Sequence, residues 1–243
     1  MKKAQLFVTC LVNEFYPRVG FAVAKVLDKV GWSLDVPQAQ ICCGQPAFNA
    51  GYLSDSRKAA LAALDVFEGG VGPLLVPSGS CGDMLAHHLA GLFEEGSSEH
   101  RRALALSSRV REFSQFLVDD LGVRDLGGRL EATVAYHPSC HLLRGLGVDG
   151  QPRQLLEAVK GTRLLPLHDA EVCCGFGGSF SMTHEGLSGA MLDDKLKAVQ
   201  ASQAERLVSC DMGCLMHLGG GLDRRGAGPK VQHLAEYLAE SLG

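Results

Sequence analysis

Two pairs of adjacent cysteines, Cys42-Cys43 and Cys173-Cys174, each followed by glycine, set the chemical question in a chain of 243 residues that holds nine cysteines. Cα atoms across one trans peptide lie about 3.8 Å apart, short of the usual disulfide span of about 4.4 Å or more, so neither pair reads as a disulfide. Neighbouring side chains of an extended segment point to opposite faces. Two adjacent thiolates therefore converge only from a loop, and most naturally on something larger than a single ion.

The remaining cysteines fall into register with the pairs. Cys10, Cys42, Cys43 and Cys81 are spaced C-x31-CC-x37-C; Cys140, Cys173, Cys174 and Cys214 are spaced C-x32-CC-x39-C. The two sets lie 130, 131 and 133 residues apart at their successive landmarks. Two equivalent groups of four soft ligands suit iron-sulfur clusters or zinc. Zinc sites usually draw on C-x2–4-C knuckles, which neither set contains, and this favours iron-sulfur. Zinc and reactive or structural thiols stay as alternatives. Cys210, unmatched because Pro77 stands at its position in the first set, reads as a small buried hydrophobe, with a fifth-ligand role as its alternative.

Elements that alternate in type must position these residues. AQLFVTC, WSLDVP and GPLLVPSGS read as strands. Val19, Ala22, Val23, Val26, Leu27 and Val30 mark one helix face before the stop at Gly31. SDSRKAALAALDVFEGG reads as a second helix with a Ser or Asp cap, and GDMLAHHLAGLFEEG as a third. Residues 110–121 and 231–242 share apolar spacing and read as closing helices. The chain is thus expected to be α/β, with two duplicated Rossmann-like halves of about 1–125 and 126–243 joined in VRDLGGRLE. Their parallel sheets are flanked by helices and related by a pseudo-two-fold. Each cysteine set falls where strands give way to helices, the end of a parallel sheet at which ligands gather.

Histidines crowd the second set. In HPSCHLLR, His137 and His141 flank Cys140 and Arg144 follows one turn on. The three are the candidates for proton relay or for holding a substrate carboxylate; His184 and His217 are weaker ones. The first half has Asn13 and Arg18 instead, so the second is expected to do more chemistry. Gly44 and Gly175 are expected to permit a tight turn with positive φ. GFGGSF does not give G-x-G-x-x-G, and nucleotide binding is not inferred.

A net charge of −4, a pI of about 6.1 and no basic run longer than a pair give no support to a nucleic-acid role. The apolar stretch after Lys2-Lys3 is interrupted by Asn13 and Glu14 and is followed by no small-residue cleavage site. No run approaches the roughly 18 apolar residues of a membrane span. A cytoplasmic, soluble chain is expected, where clustered cysteines more often bind metal than form disulfides.

The doubled cysteine pattern resembles the cysteine-rich CCG-domain family over essentially the whole chain. The stretches VPSGSC, YHPSCHLLR, CCGFGGSFS and DMGCLMH are most similar to its lactate-utilisation group; related groups are the B subunit of heterodisulfide reductase and the iron-sulfur subunit of glycolate oxidase. The resemblance implies an iron-sulfur electron carrier, with a 4Fe-4S cluster expected in each half. It would act with two companion proteins, one of them an iron-sulfur protein, in oxidising L-lactate, a small 2-hydroxy acid, to pyruvate. In the heterodisulfide reductase relatives each motif ends in C-x-x-C; here Ser78 and Asp211 replace the first cysteine of each terminal pair, leaving four thiolates per half. No flavin or nicotinamide motif is evident, so hydride transfer by this chain alone is not expected.

Overall fold

The computed structural model describes residues 2–226 and 228–243. Strands β1 (Lys2–Leu6), β2 (Trp32–Asp35), β3 (Leu74–Val76) and β4 (Val110–Glu112) form one parallel sheet in the order β2-β1-β3-β4. Strands β5 (Arg129–His137), β6 (Lys160–Leu165), β7 (Arg206–Ser209) and β8 (Lys230–His233) form a second in the order β6-β5-β7-β8, again parallel throughout. Exchanging each strand for its counterpart turns one order into the other. The α/β arrangement with two duplicated parallel sheets is therefore what the chain adopts.

Helices cross between the strands and cover the sheets, as parallel pairing requires. The helix Arg18–Lys29 buries Val19, Ala22, Val23, Val26 and Leu27 and stops where Gly31 takes a φ of 77°. It lies against the C-terminal helix Leu234–Ser241 of the other half. Reciprocally, the helix Gly150–Ala158 lies against the turns Phe113–Gln115 and Phe116–Asp120. One buried cluster results, in which Leu6, Val26 and Phe113 meet Tyr136, Leu234 and Tyr237. Each such side chain contributes roughly 1.5–3 kcal/mol by leaving water, so the two halves hold each other through a shared core.

Three expectations need correction. The closing segments are not helices from their first residue: Val110–Glu112 and Lys230–His233 are fourth strands, and helical turns begin only at Phe113 and Leu234. Three or four residues are too few for strand alternation to show against a following amphipathic pattern. The third helix is not continuous, since Gly79–Asp83 widens into a π-type turn at Met84–His88 and tightens at Ala90–Leu92. The second helix starts at Leu53 and has no side-chain cap from Ser54 or Asp55. Among the described residues no helix is long and apolar enough to cross a membrane.

Candidate metal centre

Four of the cysteines, Cys10, Cys81, Cys140 and Cys214, sit at the start of a helical turn. Cys10 opens the helix Cys10–Phe15, whose cap Thr9 accepts from Val12 N at 3.4 Å. Cys81 lies in the helix Gly79–Asp83 after β3, capped by Ser78, which accepts from Cys81 N at 3.3 Å. Cys140 precedes the turn His141–Gly145 after β5, and Cys214 lies in the first turn of Met212–Arg225 after β7. The adjacent pairs occupy loops in which a glycine follows directly, Gly44 before the helix Gln45–Asn49 and Gly175 five residues before the helix Phe180–Thr183. Gly44 and Gly175 have φ values of 86° and 89°, a region that L side chains rarely adopt. Space excludes a side chain at Gly175, where a Cβ would lie 2.8 Å from Ser188 O, and is tight at Gly44, where one would lie 3.2 Å from Ser56 O. Ser56 and Ser188 in turn donate to the Gly44 and Gly175 carbonyls at 3.2 and 2.8 Å. The same clamp thus fixes both loops.

The eight cysteines of the two sets line one cavity of about 240 Å³. Within it Cys43 and Cys81 sulfurs lie 3.3 Å apart, Cys174 and Cys214 sulfurs 3.3 Å apart, and Cys10 and Cys42 sulfurs 3.9 Å apart. Cys42 accepts from the Cys10 thiol at 3.9 Å and the Gly44 amide at 3.5 Å, and with the adjacent Cys43 thiol these hold it well below the ordinary thiol range. Cys173 accepts from the Gly175 amide at 3.4 Å, and the neighbouring Cys140 and Cys174 thiols likewise hold it well below the ordinary thiol range. The same hydrogen bonds, with burial adding to them, push Cys10 and Cys140 up. Each set favours one thiolate and keeps its donors protonated, because closely spaced sulfurs resist further negative charge. A cationic centre would relieve that resistance and release the protons. Four soft donors per repeat on one cavity fit iron-sulfur or zinc chemistry.

Asp211 ties the two repeats together at this cavity. Its Oδ2 accepts from Ser78 Oγ at 3.0 Å and Ser80 N at 2.8 Å; its Oδ1 accepts from Gly213 N at 3.0 Å and Cys214 N at 3.4 Å. Gly79 makes a second close approach between the repeats, since a Cβ there would fall 2.6 Å from Leu142 Cβ.

The three candidates from HPSCHLLR part company. His141 lines the cavity, its Nδ1 3.6 Å from Cys140 Sγ. His137 is buried at the end of β5, and its ring nitrogens have no hydrogen-bond partner among the described residues. Burial lowers it to about 4. One of its ring nitrogens and the Cys174 and Cys214 sulfurs all lie within 4.8 Å of one another. Arg144 is exposed, donates to the Glu171 carbonyl at 3.2 Å and is not among the cavity's lining residues. His184 pairs with Thr183 at 2.9 Å and His217 with Ser188 at 3.4 Å, both outside the lining. In the first half Asn13 donates to Glu14, and Arg18 lies 3.5 Å from Glu236. Cys210 is fully buried in the shared core, 3.9 Å from the Tyr136 hydroxyl, and does not line the cavity.

Lys195 was not singled out from the sequence. It is buried, and its ammonium donates to the carbonyls of Asp169 and Ala170 at the base of the loop carrying Cys173 and Cys174. The legible signal was its place among Leu192, Leu196 and Val199 on the apolar stripe of its helix.

Comparison with known proteins points the same way. The family described as Cysteine-rich domain (CCG) matches residues 4–86 and 134–219. A protein named Lactate utilization protein A 2 from Bacillus cereus (strain 03BB102) is 40% identical over 240 residues, covering 99% of both chains. Lactate utilization protein A 1 from Bacillus anthracis (strain CDC 684 / NRRL 3495) is 39% identical over the same coverage. Lactate utilization protein A from Geobacillus sp. (strain WCH70) is 41% identical over 236 residues, covering 97% of this chain and 98% of its own.

Proposed function

The chain belongs to the cysteine-rich CCG-domain family, and from that premise we propose that it is an iron-sulfur electron-transfer subunit taking part in the oxidation of L-lactate to pyruvate. The observation that carries this reading is the convergence of all eight paired cysteines on one cavity. Cys10, Cys42, Cys43 and Cys81 would hold one cluster, and Cys140, Cys173, Cys174 and Cys214 the other. Such clusters, when bound, accept and release single electrons.

The chain's own part is positioning and tuning. Gly44 and Gly175 give the paired cysteines their turn, while Ser78 and Asp211 fix the helical turns that bear Cys81 and Cys214. Burial of Cys43 and Cys174 limits solvent access, one of the protein's controls on potential. His141, beside Cys140 on the cavity wall, is placed to exchange a proton there, and Arg144 stands outside to meet an anionic substrate or partner. Working in the cytoplasm, the subunit would pass electrons from lactate to an iron-sulfur companion, with a third protein completing the system.

The test is reduction of the anaerobic, metal-loaded chain by L-lactate, alone and together with the products of its neighbouring genes. Reduction by L-lactate only in the presence of those companions is expected. Reduction by glycolate in its place would assign the chain to glycolate-oxidase-type chemistry, and no reduction by any 2-hydroxy acid would overturn the lactate assignment.

A further inference from the structure

We propose that the imidazole of His137 is a fifth donor to the metal centre of the second repeat, a donor the first repeat lacks. This rests on reading the two thiolate sets as cluster sites.

The residue stands three positions before Cys140, and Phe7 stands three positions before Cys10. The two are counterparts in the duplication. Phe7 belongs to the same buried cluster as Cys43 and Cys81 and packs on Phe67 at a ring separation of 5.5 Å. An apolar ring therefore suffices for the fold at this place. The second repeat puts a polar ring there instead, 1% exposed, with neither nitrogen in hydrogen-bond geometry among the described residues and the nearby Ala170 carbonyl already accepting from Lys195. A buried polar group left unpaired costs roughly 1–3 kcal/mol, so an imidazole at such a site demands a role beyond packing.

Geometry supplies that role. A His137 nitrogen, Cys174 Sγ and Cys214 Sγ lie within 4.8 Å of one another, the arrangement of three donors around one centre. His141, His184 and His217 all have other polar neighbours, at 3.6, 2.9 and 3.4 Å. Imidazole nitrogen suits both iron and zinc, and the identity of the ligands is one of the protein's levers on the potential of an iron-sulfur centre. The two centres are then chemically distinct despite their matching cysteines.

Anaerobically purified chain, assayed first for iron and sulfide, is reduced stepwise and examined by pulsed electron paramagnetic resonance, with and without 15N-labelled histidine. One paramagnetic centre is expected to show a nitrogen coupling that changes with the label, disappears in His137→Phe and persists in His141→Asn. The potential of that centre alone is expected to shift in His137→Phe; His137→Gln gives the same readouts should the phenylalanine variant not fold. Iron and sulfide at both sites without any histidine coupling would overturn the His137 assignment alone. So would a coupling that survives loss of His137 and disappears with His141. A chain without iron and sulfide would overturn the cluster reading, and this assignment with it.

Discussion

The Ser78 hydroxyl donates to the Asp211 carboxylate at 3.0 Å, although the two stand at the same position of the two repeats, three residues before Cys81 and Cys214 respectively. In a duplicated chain such a contact marks the pseudo-two-fold itself. Each residue also caps the helix carrying the last cysteine of its own set, so one buried hydrogen bond couples the two cysteine-bearing turns.

Asp211→Ala strands the Ser80 amide, leaves the Ser78 hydroxyl only Ser80 Oγ to donate to, and removes a cap. The loss is expected to be about 3 kcal/mol, a fall in melting temperature of roughly 6–12 °C for a chain of this size. Ser78→Ala, which removes a cap but leaves Asp211 three of its donors, is expected to cost less, about 2 kcal/mol. Thermal unfolding of both variants checks the order.

Gly175→Ala forces a side chain into a backbone with φ of 89° and onto Ser188 O, a strain of roughly 1–3 kcal/mol before the clash is counted. Metal content should fall by about half, with the first set retained. Gly44→Ala should spare the second set instead. Metal analysis together with spectra of each variant decides this.

Glu112 is fully buried; its Oε2 accepts from Ser114 and Gln115 while Oε1 has no partner among the described residues. Burial raises it from 4.5 to about 7. Between those values the native state holds a proton that the unfolded state has lost, so stability falls as pH rises through the window. Glu112→Gln should remove that slope, gaining on the parent by up to about 3 kcal/mol between pH 4.5 and above pH 7. Denaturant titrations of the pair across that range are the check.

Lys195 places a buried ammonium beside the second cysteine loop, seven residues after Ser188; the first repeat has Ala63 seven residues after Ser56. A nearby positive charge favours the more negative, reduced state of a centre. Lys195→Met should lower the potential of the second centre alone, on the order of 50 mV, as read by potentiometric titration.

How much of this was legible in sequence follows the range of the interactions. The cysteine sets and the alternation of strands with helices are local patterns written twice, and the duplicated sheets follow from them. β4 and β8, at Val110–Glu112 and Lys230–His233, are defined by pairing with β3 and β7 rather than by their own periodicity, so they read as helix. The Ser78–Asp211 bond and the meeting of both sets on one cavity depend on how the halves pack. Spacing along one chain does not encode that. His137 stood out by residue type, but its burial against Cys174 and Cys214 came only with the structure.

The most direct measurement is the iron, acid-labile sulfide and zinc content of the anaerobically purified chain. Brown protein carrying several equivalents each of iron and sulfide, with little zinc, is the predicted result. Stoichiometric zinc without sulfide would contradict it.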